Sequence, residues 1–230
     1  MDYDPAVCGR FTQATPNETI AELFQLPSAP DLAPRYNIAP TQDVAAVRAS
    51  SGGGRELVPL RWGLLPSWAG ERSVAARMIN ARAETLADKP AFRAAFRWRR
   101  CLVVADGFYE WQRLGGRTQP HFIGFADGRP FGLAGLWERW TGDGSGPVES
   151  CTIVTTAANG VVAPLHDRMP AILDPGEFAL WLDPEVRDPE VLRPLLRPHA
   201  VAAMRAYPVS PLVNDPSHDL AACREPLAAG

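Results

Sequence analysis

Lysine is almost missing from this chain: Lys89 is alone among 23 lysines and arginines. A GC-rich genome is the plain cause, although arginine also supplies the planar fork that suits phosphate recognition. Long apolar runs are absent too, and none approaches the roughly 20 residues of a membrane span. The first seven residues, Met1 to Val7, carry Asp2 and Asp4 with neither a basic segment nor an apolar one, so no secretory signal is read there. Cytoplasmic residence is the expectation. Cys8, Cys101, Cys151 and Cys223 are widely spaced without a C-x-x-C pair, so neither a zinc site nor a redox couple is indicated. The chain also has no internal repeat and no G-x-G-x-x-G fingerprint. No cofactor and no metal are expected. A net charge of −3 argues against a protein that coats nucleic acid non-specifically, and it leaves room for a local basic groove.

What is present reads as an ordinary globular domain, with 46% hydrophobic and 21% charged residues over 230 positions. Thr15-Pro16-Asn17-Glu18 has the spacing of a capping box, and Ile20, Leu23 and Phe24 follow on one helical face. The proline-punctuated stretch from Pro27 to Pro40 is expected to run extended over the surface. Val44 to Arg48 and Glu56 to Trp62 read as strands joined by the Ser50-Ser-Gly-Gly-Gly54 loop. Phe92 to Arg99 is predicted helical. Strands are predicted over Leu102–Ala105, Phe108–Arg113, His121–Phe125, Phe131–Trp140 and Thr152–Thr156, with helices over Pro175–Leu182 and Pro189–Leu196. Hairpin-linked strands with scattered helices imply an α+β fold, a single domain around a largely antiparallel, barrel-like sheet.

Four polar segments lie at the ends of apolar runs, where sheet proteins carry their functional groups. Cys8-Gly9-Arg10 is the first; its cysteine is either a small core thiol or a nucleophile. Cys101 and Cys151, by contrast, open apolar runs and read as buried hydrophobes. The second runs from Arg61-Trp-Gly-Leu-Leu-Pro-Ser-Trp68 to Ile79-Asn-Ala-Arg-Ala-Glu84. Trp62 reads as core and Trp68 as a stacking surface for a base, while Asn80 and Arg82, two apart, face one way on an extended segment. The third is Ala105-Asp-Gly-Phe-Tyr-Glu-Trp111, in which Glu110 is enclosed by bulky neighbours that raise a carboxyl pKa; the competing reading pairs it with Arg113 or another arginine at the surface. In the fourth, Thr155 to Pro170, His166 sits within His-Asp-Arg, suited to proton transfer near neutrality.

In this order the segments resemble the SOS response-associated peptidase (SRAP) family of abasic-site DNA–protein crosslinking proteins. The matching blocks are Cys-Gly-Arg, Arg-Tyr-Asn-Ile-Ala-Pro, Trp-Gly-Leu-Leu-Pro-Ser-Trp, Ile-Asn-Ala-Arg-Ala-Glu-Thr, Ala-Asp-Gly-Phe-Tyr-Glu-Trp, His-Asp-Arg-Met-Pro and a terminal Pro-Val-Ser. The resemblance implies one domain over residues 8–230, with Cys8 as crosslinking residue and Asn80, Glu110 and His166 lining the active site. It implies that Arg10, Arg82 and Arg168 grip phosphates, and that Asn37, Pro40, Trp68 and Thr155 lie along the path of single-stranded DNA. Ala69 departs from the pattern, because relatives often carry a second aromatic there.

The implied chemistry is a thiazolidine formed between an abasic-site aldehyde and the α-amine and thiol of Cys8. That amine is blocked by the Val7–Cys8 bond, so residues 1–7 are expected to be removed, by self-cleavage in the manner of a cysteine peptidase; a misassigned start codon is the other explanation. The resemblance places the activity in the DNA damage response, on a nucleoid-associated monomer. Two other classes stay open: a cysteine hydrolase using Cys8, His166 and Glu110, and a non-catalytic single-strand DNA-binding module.

Overall fold

The computed structural model describes residues 8–142, 144 and 146–227, so the expected leader, residues 1–7, lies outside the described residues. Thirteen strands occur among the described residues. In the first half they are β1 (Phe11–Gln13), β2 (Arg35–Ile38), β3 (Asp43–Ala49), β4 (Arg55–Trp62), β5 (Asn80–Arg82) and β6 (Arg100–Ala105). Then follow β7 (Gly107–Leu114), β8 (Arg117–Phe125), β9 (Phe131–Trp140), β10 (Val148–Ala157), β11 (Arg168–Pro170), β12 (Ile172–Leu173) and β13 (Met204–Pro208). Four short helices accompany them: α1 (Asn17–Phe24), α2 (Arg93–Trp98), α3 (Phe178–Leu182) and α4 (Pro189–Leu192).

One sheet runs β13-β8-β7-β1-β2. In the other, β10, β4, β3, β6 and β9 are neighbours in turn, and a further β9–β10 pairing joins the ends into a closed, barrel-like ring. Closure removes the exposed edges that an open sheet would leave. The apolar run of β6 is buried along its whole length because it packs on both faces. Leu102 and Val104 join the cluster beneath the helices, with Phe96, Phe178 and Trp181. Cys101, Val103 and Ala105 turn the other way, into the cluster that contains Cys8, Phe11, Trp62 and Phe108. The two sheets thus share a core, and the α+β expectation holds.

Two local expectations change. The first helix forms, but no side chain caps it; Thr15 Oγ1 instead donates to Asp106 Oδ2 at 3.0 Å. Asp106 also receives the Ala14 N–H at 2.7 Å and the Thr12 hydroxyl, so this buried carboxylate engages the Thr15 hydroxyl that a capping box would have turned toward the helix. Of the stretch expected on the surface, residues 27–34 stay outside the sheets and mostly exposed, while Arg35–Ile38 becomes strand β2, with Asn37 and Ile38 buried against β1. At Gly107 a Cβ would stand 2.1 Å from the Phe122 ring, so only glycine lets β7 and β8 pack there.

Candidate functional site

The site begins where β1 continues backwards. The Tyr109 N–H donates to the Arg10 carbonyl at 3.0 Å, extending the β1–β7 pairing and drawing Cys8 toward Glu110. The Cys8 main-chain N–H then donates to Glu110 Oε1 at 2.7 Å. Both residues are buried, Cys8 completely and Glu110 to 3% exposure. Cys8 has φ 49°, a left-handed conformation that costs a residue bearing a Cβ roughly 1–2 kcal/mol.

Burial sets the electrostatics. It pushes the Glu110 carboxyl up to about 8; the Cys8 N–H bond opposes this and the charge of Asp167 adds to it. Burial, helped by the Glu110 charge, also holds the Cys8 thiol well above the usual thiol range. Glu110 therefore takes up and releases a proton near neutrality, while Cys8 keeps its S–H. The competing pairing of Glu110 with Arg113 does not form, since Arg113 lies exposed near the end of β7.

Strand β10 gathers the second group. β5 pairs with it in parallel, Asn80 opposite Ile153 and Arg82 opposite Thr155, and β11 pairs antiparallel with Arg168 opposite Ala157. Ile79, Ile153, Val162 and Met169, the apolar neighbours of these residues, share a core cluster with Cys8. The charge of Asp167 acts on Glu110 and helps to raise its carboxyl, so the His166-Asp-Arg turn and Glu110 share one electrostatic neighbourhood.

His166 Nδ1 accepts the Arg168 main-chain N–H at 3.0 Å and also stands 2.9 Å from Asp167 Oδ1. The Arg168 N–H calls for a lone pair on Nδ1, whereas the Asp167 carboxylate calls for a hydrogen there, so the two contacts compete for one ring nitrogen. Arg168 is engaged: it bonds Glu84 bidentately at 2.6 and 2.9 Å and the Thr155 carbonyl at 2.7 Å. That bond holds the Glu84 carboxyl below its ordinary range.

The residues expected along a DNA path separate into two kinds. Trp68 is 62% exposed and Arg82 is exposed, whereas Pro40 is half-buried. The Trp68 loop is pinned from below by Trp140 Nε1, which donates to the Ala69 carbonyl at 2.7 Å, and Ala69 itself is buried. Arg10, Asn37 and Thr155, by contrast, are held within the protein. Arg10 donates to Asn37 Oδ1 at 2.8 Å and to the Val213 carbonyl at 2.7 Å, and burial lowers its pKa. Asn37 is fully buried and spends its amide on the carbonyls of Val213, Asp215 and His218, while Thr155 is 2% exposed. Asn37 reaches solvent only through what it positions: Arg10 and the 213–218 loop.

Three structural contributors escape a sequence reading. Asp219 receives the N–H groups of Tyr36 and Asn37 and the Arg35 guanidinium, from more than 180 positions away. Asp106 is described above. Asn159 Oδ1 accepts the N–H groups of Val161 and Val162 at 3.0 and 3.1 Å, and its Nδ2 donates to the His199 carbonyl at 2.8 Å. It holds the turn that leads to His166, and Asn159-Gly160 after a strand was its one sequence signal. Among the described residues no group of three His, Cys, Asp or Glu is placed to hold a metal ion, and no helix is long and apolar enough to cross a membrane.

Comparison with known proteins follows the same lines. The abasic site processing protein YoqW of Bacillus subtilis is 41% identical over 218 residues, covering 93% of this chain and 96% of that protein. The abasic site processing protein HMCES of Gallus gallus is 36% identical over 202 residues, covering 76% of this chain and 59% of its own length. A crystal structure of a Bacteroides thetaiotaomicron protein superposes with a TM-score of 0.84 at 26% identity, over 96% of this chain and all of that one. The family model described as SOS response associated peptidase (SRAP) matches residues 7–216. With its fold, its ordered motifs and these relatives in agreement, the chain belongs to the SRAP family.

Proposed function

We propose that this protein processes abasic sites in single-stranded DNA by capturing them covalently through Cys8, once the Val7–Cys8 bond has opened. The observation that carries the reading is the 2.7 Å bond from the Cys8 nitrogen to a buried carboxyl that titrates near 8. An abasic sugar in its open form presents an aldehyde. The Cys8 α-amine adds to that carbon, the carbinolamine loses its oxygen as water to leave an imine, and the thiol adds to the imine carbon to close a thiazolidine. Each step moves a proton at or next to the Cys8 nitrogen, where Glu110 stands. Glu110 is assigned proton transfer, His166 assistance to sugar-ring opening and reversal, and Asn80 orientation of the amine.

The same carboxyl suits the release of residues 1–7. As the Cys8 thiol adds to the Val7 carbonyl carbon, the Glu110 carboxylate takes the S–H proton and returns it to the departing nitrogen when the C–N bond breaks; water then hydrolyses the thioester, freeing the Val7 carboxylate and the thiol. A hydrolase built on a Cys8–His166 ion pair is disfavoured, since burial and the Glu110 charge both work against a thiolate. Exposed Trp68 and Arg82 supply a stacking surface and a phosphate contact for a single strand.

Incubation with a single-stranded oligonucleotide bearing one abasic site tests the reading. A heat-stable shifted band is expected from wild type and none from Cys8→Ala. Reversible binding by both proteins would reduce the protein to a binding module.

A further inference from the structure

Glu110 has a cross-strand neighbour that the chemistry above leaves unused. In the β7–β8 pairing His121 lies directly opposite it, and opposed residues project from the same face with Cβ atoms about 4.5–5.5 Å apart. That face is the Cys8 side of the sheet. Phe108 and Ile123, the next opposed pair on that face, share the Cys8 core cluster, whereas Tyr109 and Phe122 pack on the opposite face with Val209 and Val213. Glu110 is sealed at 3% exposure, and His121 beside it is only half-buried. The carboxyl has little direct access to solvent, and its neighbour has more.

The ring is oriented for a purpose. His121 Nδ1 lies 3.1 Å from the Gln119 carbonyl oxygen. A carbonyl only accepts, so in the neutral ring Nδ1 carries the hydrogen and Nε2 keeps its lone pair. The groups facing the pair from each element are few. Cys8 comes from the segment ahead of β1, Gln112 and Gln119 from the two strands, and Asp167 from the turn after His166. On the other side of His121, β13 presents Pro208, which brings no charge.

We propose that His121 is the proton relay of Glu110, a positioning residue that passes protons between the buried carboxyl and water. This rests on the reading of Glu110 as the proton shuttle. As the Cys8 amine bonds to the aldehyde carbon, its proton goes to the Glu110 carboxylate. His121 Nε2 takes it on, while Nδ1–H stays on the Gln119 carbonyl. The imidazolium then yields a proton to solvent. Run backwards, the relay supplies the proton with which the carbinolamine oxygen leaves as water, so each adduct releases one water and consumes no net proton.

The experiment follows single-turnover adduct formation between the purified full chain and an abasic single-stranded oligonucleotide from pH 5.5 to 9, for wild type, His121→Gln and His121→Tyr. Both variants are expected to slow adduct formation about tenfold near pH 7, below the range typical of a direct acid–base catalyst, with the pH profile altered and the rate partly restored by added imidazole. Affinity for an intact single-stranded oligonucleotide serves as the fold control and is expected to stay unchanged. Wild-type rates and profile in both variants would overturn the relay and leave the Cys8 reading intact. Slowing that imidazole does not restore, with an unaltered profile, would also overturn it, making His121 structural. No adduct from wild type would remove the Cys8 reading and the relay with it.

Discussion

The Cys8 nitrogen and the Glu110 carboxyl, 102 positions apart in the chain, meet at 2.7 Å in a buried site. Strand β1 is only three residues long, and its pairing with β7 fixes that meeting. The contact makes the main-chain nitrogen, as much as the thiol, the focus of the chemistry.

Glu110→Gln keeps the shape and removes the titration. Adduct formation is expected to fall by about 10²- to 10⁴-fold, the span of assisted proton transfer, while binding to an intact single strand stays within twofold. Comparison of adduct rates with binding isotherms checks this.

The raised carboxyl also has a cost in stability. Its folded pKa, about 8, lies above its ordinary value of 4.5, so the folded state holds the proton longer than the unfolded one. Stability contributed by this group is full below about pH 4.5 and is lost as pH rises through 8. In a Cys8→Ala background, where the bond to residue 7 stays intact, adding Glu110→Gln is expected to stabilise the protein at pH 9 by on the order of a few kcal/mol and to change little at pH 4.5. Urea unfolding at the two pH values reads the difference.

Trp68 and Arg10 are expected to separate binding from folding. Trp68→Ala removes an exposed ring and should weaken single-strand binding by about 1–3 kcal/mol without moving the melting temperature. Arg10→Ala strips the partner from Asn37 and from the 213–214 carbonyls, so it should lower the melting temperature as well as the affinity. Calorimetry together with fluorescence anisotropy distinguishes the two.

Asn159→Ala strips the Val161 N–H and the His199 carbonyl of their side-chain partner, while the Val162 N–H keeps its bond to the Asn159 main-chain carbonyl. A loss of about 2 kcal/mol is expected, or a melting temperature lower by about 4–8 °C for a domain of this size. Because the turn it holds carries His166, adduct reversal should change as well.

Much of this was legible in the sequence where the pattern is local. The Ser50–Gly54 loop between Val44–Arg48 and Glu56–Trp62 and the apolar run at Cys101 announced strands β3, β4 and β6, and Trp62 and Trp68 divided between core and surface as expected. What escaped depends on register between distant segments. Thr15 has the spacing of a cap, yet Asp106 claims it from 91 residues away. Residues 27–40 read as a surface stretch because of their prolines, yet 35–38 became the edge strand β2 because Asp219 and the 213–218 loop satisfy its polar groups. Asn37 accordingly shifted from a contact residue to a support. Closure of the ring through β9 and β10 leaves no local mark at all.

Intact mass spectrometry of the purified adduct tests the central claim most directly. The account predicts a single species equal to residues 8–230 plus the abasic oligonucleotide minus one water, stable to heat and absent from Cys8→Ala. An adduct that retains residues 1–7, or one that forms equally well in Cys8→Ala, would contradict it.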